Sequence, residues 1–184
     1  MKLAYRCITE TSLYVGDILL STTDDLISKT VRRATQSEFS HARIYIGNGE
    51  MIEAVNPKVK EDLLSDVVKK DLYTLVYRLP GLTRQQQQQI VHYARLQEYL
   101  KKEYDLSGAL TSLPTWQVAL ATGASGLIAK YDNDKDPEHD FYCSELVAFA
   151  YQYAGIEMGW NPSQTTPQDI VTNRKLQYIG HLMY

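Results

Sequence analysis

The stretch His41-Ala42-Arg43-Ile44-Tyr45-Ile46-Gly47-Asn48-Gly49-Glu50-Met51-Ile52-Glu53-Ala54 decides the fold. Two runs rich in β-formers flank Gly47-Asn48-Gly49-Glu50, and Asn-Gly is favoured where both turn residues need a positive φ. The segment is therefore a hairpin. Strand side chains alternate between faces, so a plain Asn48-Gly49 turn would set Glu53 opposite Ile44 and point His41 to the other side. His41 and Glu53 share a face only if the loop holds an odd number of residues or one strand carries a bulge. A departure from the plain turn is the expectation.

On the N-terminal side of this hairpin, Gly16-Asp17-Ile18-Leu19-Leu20 reads as a turn feeding a strand, and residues 24–35 as a short helix. Residues 72–79 form a third strand ended by Pro80. Thr83 is an N-cap for a helix over 84–102, whose Ile90, Val91, Ala94 and Leu100 recur at helical spacing. Residues 141–154 form another helix with Leu146, Val147, Ala150 and Tyr153 on one face, and 175–179 a last strand. The sum is an α+β domain, helices on a small and mostly antiparallel sheet, over residues 1–184 as one unit. The 184 residues hold 44% apolar and 22% charged side chains, the balance of a globular chain that builds its own core. A net charge of −3 gives no basic excess for nucleic acid.

Cys143 is the most informative single position. It opens an apolar helix after an acidic loop, and a thiol in a helix's first turn feels the positive end of the dipole, which favours the thiolate. The thiolate is the nucleophile. A free cysteine also packs well as a small hydrophobe, so position alone leaves both roles open. Of His41, His92, His139 and His181, His41 is held at the end of a strand, a rigid place for a base. His139 falls in the acidic loop, and His181 has no evident partner to orient it. With two cysteines, Cys7 and Cys143, no disulfide framework exists, and a reducing compartment is the simpler inference. Residues 1–7 lack the apolar run of a secretory signal, so the expectation is a cytoplasmic protein or one exported without a cleaved signal. Residues 106–129 carry no formal charge, which leaves a membrane or lipid contact open, although Pro114, Gln117 and several Gly, Ser and Thr lower their apolarity. No metal or cofactor motif is present: in the Asp132-x-Asp134-x-Asp136 run, Pro137 and Cys143 stand where a calcium loop needs Gly and Glu.

The His41–Ala54 hairpin resembles the His-bearing hairpin of NlpC-type papain-like cysteine peptidases. Cys143-Ser144-Glu145-Leu146-Val147, followed by Ala150-Tyr151 and Ala154-Gly155-Ile156, resembles the nucleophile helix of the same family. In most of that family Cys precedes His; here His41 comes first. This order resembles the circularly permuted branch typified by YiiX and YaeF, and more distantly the lecithin:retinol acyltransferase group. Gly16-Asp17-Ile18 matches the short motif that opens the permuted domains.

The resemblance implies Cys143 as nucleophile, His41 as base and then acid, and Glu53 as the residue that orients the imidazole, a position often held by His in relatives. It also implies a hydroxyl from Tyr104 beside the oxyanion. The implied activity is hydrolysis of an amide bond, as in peptidoglycan-type peptides, through an acyl-enzyme and without cofactor or metal. A thioesterase, phospholipase or acyltransferase acting on acyl lipids shares the same Cys-His site and is the second enzymatic expectation. A non-catalytic peptide- or lipid-binding domain is the third.

Overall fold

The computed structural model describes residues 5–35, 37–104 and 140–184. Among these residues nine strands form one sheet in the order β1-β9-β6-β2-β3-β4-β5-β7-β8. In chain order they are β1 (Cys7–Ile8), β2 (Ile18–Thr22), β3 (His41–Gly47), β4 (Glu50–Val55), β5 (Lys58–Leu63), β6 (Tyr73–Arg78), β7 (Glu103–Tyr104), β8 (Asp140–Phe141) and β9 (Gln177–Leu182). Pairing is antiparallel except at the two margins, where β1 runs parallel to β9 and β7 parallel to β8. Among the described residues the α-helices are α1 (Leu26–Thr35), α2 (Leu64–Val68), α3 (Arg84–Tyr99), α4 (Cys143–Tyr153) and α5 (Pro167–Thr172).

Strand alternation sorts the apolar side chains into two cores. Ile18, Leu20, Ala42, Ile44 and Ile52 pack with Ile90 and Ala94 of α3 and with Leu146, Val147 and Ala150 of α4. Leu19, Tyr45, Met51 and Val76 instead pack with Leu64, Val67 and Val68 of α2. Both faces of the central strands are covered, which is why β2 is buried along its whole length. The α3 start follows the expected chemistry: Thr83 Oγ1 accepts from the Gln86 N–H at 3.2 Å, and Gln86 Oε1 accepts from the Thr83 N–H at 3.0 Å.

Three expectations are corrected. Phe141 is strand rather than helix, so α4 begins at Cys143 itself. Tyr151, not Tyr153, fills the buried face of α4; its side chain is wholly enclosed, and its hydroxyl donates to the Gly16 carbonyl at 2.7 Å. Leu100 is exposed beyond the end of α3, because the chain leaves the helix at Tyr99. The charged strand β5 (Lys-Val-Lys-Glu-Asp-Leu) was not expected: its outward side chains are polar, and only Val59 is deeply buried among them.

The opening Gly16-Asp17 motif is architectural. Asp17 is buried, its carboxylate accepts from Arg78 Nε at 2.7 Å and Nη2 at 2.6 Å, and it also accepts from the Tyr14 N–H at 2.8 Å. Arg78 lies over the Tyr14 ring, 3.8 Å from its centroid. This clamp ties the start of β2 to the end of β6. Gly16, at φ 91, makes the turn that leads into it.

Candidate active site

The β3–β4 hairpin departs from the plain turn in one place. Asn48 and Gly49 form the two-residue turn, both at positive φ (54 and 74). Gly47 pairs with Glu50, but Tyr45 pairs with Met51 and Ile44 with Ile52, so Ile46 has no partner and bulges. One extra residue shifts the phase of β3 against β4. His41, Arg43 and Glu53 thereby come to the same face, and His41 Nε2 lies 2.7 Å from Glu53 Oε2.

Beyond Ile44 and Ile52 the two strands stop pairing, although both continue. Cys143, at the first position of α4, meets β3 where it has parted from β4. Its sulfur lies 4.0 Å from the Ser40 carbonyl, and the nearby backbone N–H groups of Ala42 and Ser144 favour its charged form. The thiol is 5% exposed. The His41 imidazole lies beside it, close enough for each group's charge to act on the other. Because Nε2 of that ring is engaged by Glu53, Nδ1 is the nitrogen left for sulfur. The α4 start is fixed from behind by Ser144, whose hydroxyl donates to the Thr165 carbonyl at 2.6 Å.

The electrostatics follow from these contacts. Burial raises the Cys143 pKa, but the nearby His41 charge and the two backbone N–H groups outweigh it, so the thiol is held below its ordinary value. Burial lowers the His41 pKa, but the Cys143 thiolate and the bond to Glu53 overcome both burial and Arg43 and carry it up to about 9. Burial likewise raises the Glu53 pKa, yet its contacts with His41 and Arg43 hold the carboxyl well below the usual range. All three shifts favour the charged forms: thiolate at Cys143, imidazolium at His41 and carboxylate at Glu53.

Residues not foreseen from sequence complete the site. Arg43 Nε donates to Glu53 Oε2 at 2.7 Å, and its Nη1 and Nη2 reach Asp71 at 2.6 and 3.1 Å. Lys60 Nζ stands 3.4 Å from Glu53 Oε1. A signal for Arg43 did exist: it is the one charge in an otherwise apolar strand, two residues from His41 and so on its face. Asp71, in the bend before β6, gives no such signal. The Tyr104 side chain, His139 and residues 106–129 lie outside the described residues.

A cavity of about 290 Å³ opens beside His41, walled by Ser28, Val31, Ser40, Val55 and Asn56. A larger cavity, about 430 Å³, sits at the far end of α4 near Met158 and Trp160, with no thiol or imidazole on its walls. Among the described residues no three His, Cys, Asp or Glu side chains are placed to hold a metal ion. Cys7 and Cys143 are both free thiols.

A Cys–His–carboxylate row built on two central strands, with the His strand ahead of the Cys helix, is the layout of a permuted papain-like domain. The chain belongs to the family of permuted papain-like amidase enzymes (YaeF/YiiX, C92 family), whose model matches residues 12–112. It is 28% identical over 206 residues to the probable lipoprotein peptidase YaeF of Escherichia coli K12, covering 95% of this chain and 73% of that protein. Its fold matches the crystal structure of metalloprotein yiiX from Escherichia coli O157:H7 with a TM-score of 0.63 and 22% identity, over 90% of this chain and 96% of the other. The family places the chain among cysteine hydrolases of the peptidase and amidase type.

Proposed function

We propose that the protein hydrolyses an amide bond of a peptide-like substrate through a covalent acyl-enzyme. The observation that carries this reading is the buried Cys143 thiol beside an imidazole whose far nitrogen is tied at 2.7 Å to a buried carboxylate. The Cys143 thiolate attacks the carbonyl carbon, forming a C–S bond and an oxyanion. Helix first-turn N–H groups lack partners within their helix, and the family resemblance assigns the Cys143 N–H and the Tyr104 hydroxyl to receive that charge. As the tetrahedral species collapses, the imidazolium of His41 gives its proton to the leaving nitrogen and the C–N bond breaks. His41, now neutral, takes a proton from water, whose hydroxide attacks the thioester. The acid leaves, and the thiolate–imidazolium pair is restored. Glu53 keeps the ring oriented and stabilises its charged form throughout.

Peptidoglycan-type stem peptides are the first substrates to test, and acyl lipids the second. The second class is kept because the cavity beside His41 carries Val31 and Val55 next to its hydroxyls, a wall that also accepts an acyl chain. The test follows product release and intact protein mass with both classes, in the wild type, Cys143→Ala and His41→Ala. Amine release with a transient acyl adduct, abolished in Cys143→Ala, supports the proposal. Turnover that survives in Cys143→Ala overturns it, and turnover of esters but not amides transfers the site to the lipid class.

A further inference from the structure

The ion pairs behind His41 form a longer chain than orientation of the ring requires. Glu53 Oε2 is one atom with two donors, His41 Nε2 and Arg43 Nε, each at 2.7 Å. On the other side of the guanidinium, Nη1 reaches Ser21 Oγ at 2.7 Å and Asp71 Oδ2 at 2.6 Å, and Nη2 reaches Asp71 Oδ1 at 3.1 Å. Asp71 is itself fixed by the Thr74 hydroxyl at 2.7 Å. The Arg43, Glu53 and Asp71 side chains are 6%, 4% and 1% exposed, so solvent screens little between them. Charges alternate along the row: Asp71, Arg43, Glu53, His41, Cys143.

We propose that Arg43, clamped by Asp71 and Ser21, is a positioning residue of this site: it pins the Glu53 carboxylate against His41 and neutralises part of its charge, so that His41 can still release a proton. The inference rests on the Cys143–His41 chemistry proposed above. A buried carboxylate with no second partner would hold imidazolium strongly. That favours the thiolate but opposes the step in which His41 protonates the leaving nitrogen, and a general acid works best with a pKa near the working pH. A guanidinium on the same oxygen opposes this hold, because it is a like charge to the imidazolium. The planar fork of Arg43 serves both partners at once. One edge takes Glu53 while the other is held by Asp71, which an ammonium cannot reproduce. The charged groups facing His41 are Cys143 from α4, Glu53 from β4 and Arg43 from its own strand. Lys60 of β5 lies behind Glu53, and Asp25, before α1, lines the shared cavity.

The test is a titration of the His41 imidazole by NMR in the whole chain, for the wild type, Asp71→Asn, Arg43→Gln and Arg43→Lys, with thermal melting to confirm folding. The two perturbations carry opposite signs. Arg43→Gln removes a cation and raises the His41 midpoint by about one pH unit. Asp71→Asn frees the Arg43 charge from its counter-ion and lowers the midpoint. Arg43→Lys falls between the wild type and Arg43→Gln. A structural role alone moves neither midpoint, or moves both the same way, and either result overturns the inference. If Arg43→Gln does not fold, the direction in Asp71→Asn decides by itself. Iodoacetamide alkylation of Cys143 in the wild type separates this inference from the reading it rests on. An ordinary thiol there removes the Cys–His pair and the role of Arg43 with it, whereas a reactive thiol with an unmoved Asp71→Asn midpoint removes only the role of Arg43.

Discussion

Replacing Glu53 by Gln changes one charge and almost no shape, and its consequences can be worked from the contacts. The Gln carbonyl oxygen can take the place of Oε2, so the His41 and Arg43 donors, each at 2.7 Å, keep an acceptor. The amide nitrogen then faces Lys60, which is 41% exposed and also paired with Asp62, so it can swing away. Arg43 stays paired with Asp71, and no buried cation is left alone. What is lost is the charge assistance of two hydrogen bonds. Bonds to a charged group contribute about 1.5–3 kcal/mol and neutral ones about 0.5–1.5, so the cost is about 2 kcal/mol in all. In a chain of this size that lowers Tm by about 4–8 °C. Reactivity moves as well. His41, held at about 9 in part by Glu53, loses an adjacent anion and its pKa falls by about 1–2 units. The assay is the rate of Cys143 alkylation by iodoacetate between acid and alkaline pH, since this anionic reagent reacts fastest while thiolate and imidazolium coexist. The alkaline limb should move toward neutrality by the same interval. A limb that stays near 9 in a folded Glu53→Gln protein would refute the coupling.

Three further outcomes follow from the same contacts. Because its folded pKa lies below the unfolded value, Glu53 contributes stability that is present above the ordinary carboxylate range and lost as pH falls through and below it; the Tm gap between wild type and Glu53→Gln should therefore narrow below about pH 4, in melts run across acid pH. Tyr151→Phe leaves the buried Gly16 carbonyl without its donor and opens no cavity, so it should cost about 1–2 kcal/mol in urea unfolding with an unchanged m-value. Gly180→Ala would bring a methyl group within 2.6 Å of the Arg6 carbonyl and 2.7 Å of Ile8, so it should cost on the order of 1–3 kcal/mol by displacing β1, seen as faster amide exchange at Ile8.

The parts of this protein that were legible in its sequence are those set by local chemistry. The Asn48-Gly49 turn, the Thr83–Gln86 capping box and the strand over Leu75 and Val76 each declare themselves within a few residues. The phase conflict in the hairpin was also legible, since alternation alone forbids His41 and Glu53 from sharing a face across a plain turn. Where the extra residue sits was not: any position from Ala42 to Gly47 relieves the conflict, and burial of Ile46 against the helical core favours the one adopted. Long-range ion pairs were invisible for a different reason. Arg43 meets Asp71 across a sequence separation that no local pattern encodes, and Asp71 sits in a polar bend that reads as ordinary surface. The interior placement of Cys143, where β3 and β4 part, depends on the end of their pairing, a tertiary event. The Gly16-Asp17 motif had the converse fate: its residues stood out in the sequence, and the structure gives them an architectural role through Arg78.

The Cys143–His41 pair is probed with fewest intervening steps by the pH dependence of iodoacetamide modification of Cys143, followed by peptide mapping, in the wild type and in His41→Ala. A thiolate–imidazolium pair predicts fast modification that persists well below the ~8.5 of a free thiol, and its collapse at low pH in His41→Ala. Modification that follows an ordinary thiol, or is indifferent to His41, would rule the pair out.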